Sequence, residues 1–390
     1  MLNCQYIGRC SGCDWLEKPY DLQRETKLTG LRQLLQSLPL PVGAWPEVKW
    51  IGIAEGGLRD RADLVIDQRT GEYRLGLFDR DHQEIIDIEK CPQMSPELQS
   101  WYEDFRKIKI PVQRGSIRLR VSPSSQRGIW LDLANVDVKM LLDERKTLDT
   151  LRTMAIVEIG QKRKRLVERD SQLKLADAIL EPWFQTSIVE ADGTIKNVAL
   201  YCAIGSFTQT GLKANTALVT EVRSRLQEIR EQAGSGPFRA VEFGSGIGNF
   251  TLPLASICSE VRAYEVDALA LQGLERTLSE HENLKGKVQI FSGNFQVERK
   301  QPVDFGGADL AFVDPPRSGL MKFLDPLAAL PLEYRPRNFV YVSCYPESFV
   351  SDTRRLIDLG YRPQSVAIVD QFPQSRHYEI VATFLTSDKV

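Results

Sequence analysis

From about residue 205 onward the chain alternates short apolar runs with longer stretches in which apolar positions recur every three or four residues. RAVEFGSG, VRAYEVD, KVQIFSGN, DLAFVDPP, NFVYVSC, QSVAIVDQF and YEIVATFL read as strands. NFTLPLASIC, ALALQGLERTLSEH and SFVSDTRRLIDLG read as amphipathic helices between them, and a helix over 214–232 leads in. Strand alternating with helix specifies an α/β fold built on a doubly wound, mostly parallel sheet. In such sheets ligands bind beyond the carboxyl ends of the strands.

Before residue 205 the pattern differs. YDLQRETKLTGLRQLLQSL predicts a helix stopped by prolines, and the runs on either side of RTGE alternate as the arms of a β-hairpin do. Residues 115–204 alternate again through SIRLRV, GIWLDL and AIVEIG, around one helix near 137–153. The expected organisation is a cysteine-bearing region with a hairpin (1–100), a central α+β region (101–204) and the α/β domain (205–390).

Composition changes this picture little. With 42% hydrophobic and 26% charged residues the chain is an ordinary globular protein, long enough for two or three cores. No apolar run approaches the ~18 residues that span a bilayer, so no membrane partner is expected. The opening MLNCQYIGRC has no basic segment leading into an apolar stretch, and a cytoplasmic protein is expected. Charge adds more. The net charge is −2, yet residues 104–174 hold 17 Lys or Arg against 9 Asp or Glu. A basic middle between acidic flanks suits RNA lying across that region. Its densest run, QKRKRLVERD (161–170), reads equally as a solvated face.

Seven cysteines are unevenly placed. Cys4, Cys10 and Cys13 fall within CQYIGRCSGC, and Cys91 precedes a proline in IEKCPQM. Four closely spaced thiolates can hold an iron–sulfur cluster or tetrahedral zinc, and the spacing leaves both open. A disulfide is not expected in an intracellular chain.

The tips of the predicted strands carry the remaining candidates. VEFGSGIGNF places Gly244, Gly246 and Gly248 after the first strand, where a ligand can approach the backbone closely. The second strand ends at Glu265, placed to accept hydrogen bonds from ribose hydroxyls. The third ends at Asn294, suited to an adenine edge, and the fourth at Asp314, fixed by two prolines. Cys344 ends the fifth strand in VSCYPES, beside the fourth, and Glu379 opens the apolar last strand. A cysteine there reads as a buried apolar residue or as a nucleophile, and a base could be Glu379 or His377. A thiolate adding to C6 of uracil would make C5 nucleophilic toward a sulfonium methyl group, which requires a cysteine and a base in one site.

Taken together, CQYIGRCSGC, LRDRADLVI, SFTQTG, GIGNFTLPLA, DPPRSG, VSCYPES and FPQSRHYE resemble the RNA uracil-C5 methyltransferase family over nearly the whole chain. The likeness is in particular to its iron–sulfur members acting on 23S ribosomal RNA, in the form without an N-terminal β-barrel domain. The resemblance implies a Rossmann-like class I methyltransferase domain following an iron–sulfur, RNA-binding α+β region. It implies S-adenosylmethionine contacts at Gln209, Gly244, Asn249, Glu265, Asn294 and Asp314. Cys344 would be the nucleophile and Glu379 the proton acceptor. Cys4, Cys10, Cys13 and Cys91 would carry a [4Fe–4S] cluster, which tips cluster over zinc. The substrate implied is a uridine in rRNA, with tRNA as the alternative, and the chain is expected to act as a monomer without a protein partner. A different class of reading is a non-catalytic iron–sulfur RNA-binding protein. The family usually has asparagine where Tyr345 stands and histidine where Gln374 stands.

Overall fold

The computed structural model describes residues 2–41, 43–133, 138–293, 305, 307–320 and 323–386. The elements in chain order begin with α1 (Tyr20–Gln36) and β1 (Val48–Ile51), then β2 (Arg61–Asp67), β3 (Arg74–Phe78), β4 (Ile85–Asp87) and α2 (Pro96–Phe105). Next come β5 (Arg114–Val121), β6 (Arg127–Asp132), α3 (Val138–Asp143), α4 (Arg145–Met154), β7 (Ile156–Ile159), β8 (Lys164–Arg169) and β9 (Gln172–Ala176). The hairpin β10 (Glu181–Val189) and β11 (Ile195–Cys202) precedes α5 (Leu212–Gln232). The remainder alternates as β12 (Arg239–Phe243), α6 (Thr251–Ile257), β13 (Glu260–Glu265), α7 (Ala268–Ser279), α8 (Glu282–Lys285), β14 (Val288–Ser292) and β15 (Leu310–Val313). It closes with α9 (Leu324–Ala329), β16 (Asn338–Ser343), α10 (Pro346–Asp358), β17 (Tyr361–Val369) and β18 (Glu379–Thr386).

The larger core lies around a sheet of order β1-β17-β18-β16-β15-β12-β13-β14. All of its pairings are parallel except those of β18, which runs antiparallel to both neighbours. The sheet is therefore mixed, and it is covered on both faces. The two-residue period of each strand divides its side chains between two cores. Ala240, Phe312, Val340 and Val342 join the cluster built with α5, α6, α7 and the β10–β11 hairpin. Val241, Phe243, Val313 and Tyr341 join the cluster on the other face with α1, α9 and α10.

A second eight-stranded sheet, β4-β3-β2-β5-β6-β7-β8-β9, is antiparallel but for the β6–β7 pair. Its core is closed by Leu98, Trp101, Tyr102 and Phe105 of α2 and by Leu148 and Leu151 of α4. Ser95 caps α2 by accepting the Leu98 N–H, and Pro96 occupies its first turn.

Three boundaries differ from expectation. The division after residue 100 cuts through this second sheet, because β2 pairs with β5 along its whole length and α2 packs on the sheet instead of leaving it. α1 and β1 belong with the cofactor-end sheet, since β1 pairs with residues 366–369 of β17. The β10–β11 hairpin, expected in the central region, buries Trp183, Phe184 and Leu200 in the core of the α/β domain. The helix near 137–153 is two helices, broken at Glu144 where ψ is 51°. No helix among the described residues is long and apolar enough to cross a membrane.

Candidate active site

The strand tips of the mixed sheet open into one cavity of about 1460 Å³. The turn after β12 forms its floor. Gly244, Gly246 and Gly248 all adopt positive φ (82°, 54° and 96°), a conformation that costs little only for glycine. A Cβ on Gly248 would stand 2.6 Å from Leu274 Cδ1, whereas one on Gly246 would meet nothing within 4 Å. The first glycine is thus needed for packing and the second faces open space. The carboxylate of Glu265, at the tip of β13, accepts the Gly246 N–H (2.9 Å) and the N–H groups of Val266 and Asp267 (2.6 and 2.9 Å). These bonds lock the glycine turn to the neighbouring strand.

Gln209, Gly244, Asn249, Glu265 and Asp314 all line the cavity, so five of the six expected cofactor contacts come together. Asn294 lies outside the described residues. Asn249 also has a scaffolding job: its amide exchanges hydrogen bonds with that of Asn215 on α5 (2.8 and 2.9 Å).

The reactive end is set by strand register. β16 pairs Ser343 with Ile380 of antiparallel β18, so one step outward Cys344 and Glu379 face each other at the sheet edge. β15 is the parallel neighbour on the other side and brings Asp314 to the same end. Cys344 is partly buried and lines the cavity, as do Glu379 and His377. Burial, then the nearby carboxylates of Glu379 and Asp314, push the Cys344 thiol up to about 11, while the Arg317 guanidinium works against them. Burial also raises Asp314 to about 7. Glu379 is pushed well above the ordinary carboxylate range by burial and then by Asp314. Burial and Arg317 hold His377 below its usual value. Both Cys344 and Glu379 are therefore shifted toward their protonated forms, and a positive charge placed in the cavity would shift them back.

Several positioning groups were not read from the sequence. The segment carrying Gln209 is gripped from the second sheet: Arg120 donates to Ser206 O (3.0 Å) and Thr208 Oγ1 (2.9 Å), and Glu158 accepts the N–H groups of Ile204 and Gly205. Both side chains are buried. The signal available was the alternation in SIRLRV, which puts Arg118 and Arg120 on the face opposite Ile117 and Leu119. The segment leading to Glu379 is anchored to α1. Lys27 pairs with Asp370 at 2.7 Å with both side chains fully buried, and Gln23 and Gln374 hydrogen-bond each other twice (2.7 and 2.9 Å).

Cys4, Cys10, Cys13 and Cys91 surround a second cavity of about 210 Å³, walled by apolar residues including Leu77, Ile88 and Met94. All four thiols are free. Burial and mutual repulsion raise Cys10 and Cys91 and push Cys13 up to about 12. The Gly12 N–H donates to Cys10 Sγ at 3.4 Å. Among the described residues no group of three or more His, Cys, Asp or Glu is placed to hold a metal ion. The thiols ring a space instead of meeting at a point. Ser11 and Gly12 line both cavities, so the cysteine segment also forms part of the active-site wall.

The tRNA (Uracil-5-)-methyltransferase family model matches residues 195–387, which span the whole mixed sheet apart from β1. An uncharacterized RNA methyltransferase of Bdellovibrio bacteriovorus is 43% identical over 383 residues, covering 97% of this chain and 94% of that protein. The chain belongs to the S-adenosylmethionine-dependent RNA (uracil-C5)-methyltransferase family. Within that family it is 26% identical to the 23S rRNA (uracil(1939)-C(5))-methyltransferase RlmD of Yersinia enterocolitica, over 98% of this chain and 80% of the other. The crystal structure of the Pyrococcus abyssi tRNA (uracil-54, C5)-methyltransferase with S-adenosyl-L-homocysteine superposes with a TM-score of 0.65. It covers 96% of this chain and 86% of its own at 22% identity, and confirms the Rossmann-like class I fold.

Proposed function

We propose that this family member transfers a methyl group from S-adenosylmethionine to C5 of a uridine in RNA, through a covalent bond between Cys344 and C6. The observation that carries the reading is that the β16–β18 ladder ends at Ser343–Ile380, so that Cys344 and Glu379 are the next residues on the two strands, both lining the cavity floored by the glycine turn. Bound beside Glu265 and Asp314, S-adenosylmethionine supplies an electrophilic methyl group and a positive charge. Arg317 adds a second positive charge that favours the Cys344 thiolate and the Glu379 carboxylate. The thiolate forms a bond to C6, and the electron pair of the C5–C6 double bond moves into the enolate, which makes C5 the nucleophile. After C5 has taken the methyl group, Glu379 accepts the C5 proton. The thiolate then leaves C6 and the double bond returns. Methyl incorporation from labelled cofactor into RNA of cells lacking this gene, with mapping of 5-methyluridine, tests the activity. Absence of 5-methyluridine in every RNA fraction overturns it.

Likeness to 23S rRNA enzymes over 98% of this chain supports rRNA over tRNA as the substrate. Exposed Phe207, backed by Arg61 at 5.6 Å, lines the cavity and suits the stacking of an unpaired base.

We infer from the family resemblance that the four cysteines carry a [4Fe–4S] cluster in preference to zinc, and their lining of one cavity supports the reading. Four thiols around a shared apolar space match a bulky group, and a backbone N–H aimed at sulfur favours the thiolate form. Such a centre would fix Ser11 and Gly12 in the active-site wall, a structural role that leaves methyl transfer without a redox step. Protein purified without oxygen should contain about four iron atoms per chain. Stoichiometric zinc without iron would overturn the assignment.

The raised thiol and carboxyl values set a pH dependence. Each group must lose its proton to act, and each holds it more tightly than a free side chain. Activity should therefore rise with pH from 6 toward 9 in the ratio kcat/KM for RNA. A profile flat across that interval would show that neither group limits the free enzyme.

A further inference from the structure

Beside the nucleophile, Tyr345 is an aromatic side chain with no partner. It is 37% exposed and lines the active-site cavity. Among the described residues its hydroxyl has no hydrogen-bond partner and its ring makes no aromatic or cation–π contact. Its neighbours hold only its backbone: Ser343 Oγ accepts the Tyr345 N–H at 3.4 Å, and Ser348 Oγ donates to its carbonyl at 3.0 Å. A large ring kept half in water, on a rigid strand tip next to a reactive thiol, has no packing reason to be aromatic.

Tyr345 is the extended N-cap residue of α10 (φ −141°, ψ 107°), one residue past the bend at Cys344. Cys344 must reach C6 of the target ring, so Tyr345, the next residue and part of the same cavity wall, stands beside the space that ring would take. Arg59, Arg80 and Arg317 line the same cavity and offer guanidinium groups to the phosphates of a polynucleotide backbone. Resting on the methyl transfer proposed above, we infer that Tyr345 is a stacking platform for the unpaired nucleobase next to the target uridine, and that it fixes the enzyme's requirement for a single-stranded flank.

The test uses full-length enzyme and an oligoribonucleotide spanning the mapped uridine, with 2-aminopurine at the position before or after it. Tyr345→Ala should raise KM for the RNA about tenfold or more, the scale of one lost base–aromatic stack. kcat and the KM for S-adenosylmethionine should stay within twofold. Wild-type protein and Tyr345→Phe should quench the fluorescence of one of the two flanking positions, and Tyr345→Ala should not. An unchanged RNA KM in Tyr345→Ala, or a loss in Tyr345→Phe equal to that in Tyr345→Ala, would overturn the inference while methylation by the wild type upholds the activity itself. Wild-type protein that methylates no RNA would overturn both.

Discussion

Cys344→Ala should lose at least about 10⁴-fold in kcat, on the scale seen when a covalent nucleophile is deleted, and should still bind S-adenosylmethionine. Glu379→Gln should fail differently. In the proposed sequence, methylation precedes proton loss, so an enzyme without its base still forms the C6 bond and still methylates C5. It then cannot release the product. A species of protein plus RNA should accumulate on denaturing gels with Glu379→Gln, and the double variant Cys344→Ala/Glu379→Gln should show none. The electrostatics sharpen this expectation. Ionised Glu379 is one of the carboxylates that raise the Cys344 thiol, and a neutral amide at that position never opposes thiolate formation. Adduct formation should therefore be at least as fast in Glu379→Gln as in the wild type, when followed under single-turnover conditions. An absence of cross-linked species with retained RNA binding would remove Glu379 from the role of base. Retained transfer in Cys344→Ala would remove the covalent route altogether.

The site was legible where its residues sit at the ends of short apolar strands. Glu265, Asp314 and Cys344 each terminate a run whose next residues are turn-forming, and Glu379 is a carboxylate opening an otherwise apolar strand. Parallel strands place the termini of β13, β15 and β16 at one end of the sheet, whereas Glu379 reaches that end only because β18 runs antiparallel, which the local pattern does not reveal. The contacts that hold the edge in shape were not legible, because they join segments whose spacing carries no period. Lys27 and Asp370 are 343 residues apart, and Gln23 and Gln374 are 351 apart. Arg120 reads as one more charge in a basic stretch, yet it is buried against the segment of Gln209. The same limit explains β1: four residues with no signal of their own become an edge strand because β17 offers them a parallel partner. Asn249 shows the converse. The family resemblance implied a cofactor contact there, and the residue lines the cavity while its amide is tied to Asn215.

The buried ion pair is where stability and catalysis meet. Lys27 and Asp370 are both fully shielded from water, and the Lys27 ammonium also donates to Phe372 O at 3.2 Å. Tyr20 donates to the second oxygen of Asp370 at 3.2 Å. Burial pulls the lysine below its usual value and the aspartate pulls it back. Removing one partner leaves the other charge buried without compensation. Lys27→Met should therefore destabilise the fold by about 3–5 kcal/mol, read as a lower urea midpoint at unchanged slope. The double variant Lys27→Met/Asp370→Leu should recover most of that loss, because a well-packed apolar pair spares both desolvation costs. Activity should not follow stability. Asp370 opens the segment that ends at Glu379, and its pairing with α1 holds that segment against the cysteine-bearing wall, where the Trp15 N–H donates to Gln374 O at 2.9 Å. The double variant should thus be folded but slow, with kcat lowered more than the KM for RNA. Full activity in that variant would show that β18 alone positions its first residue.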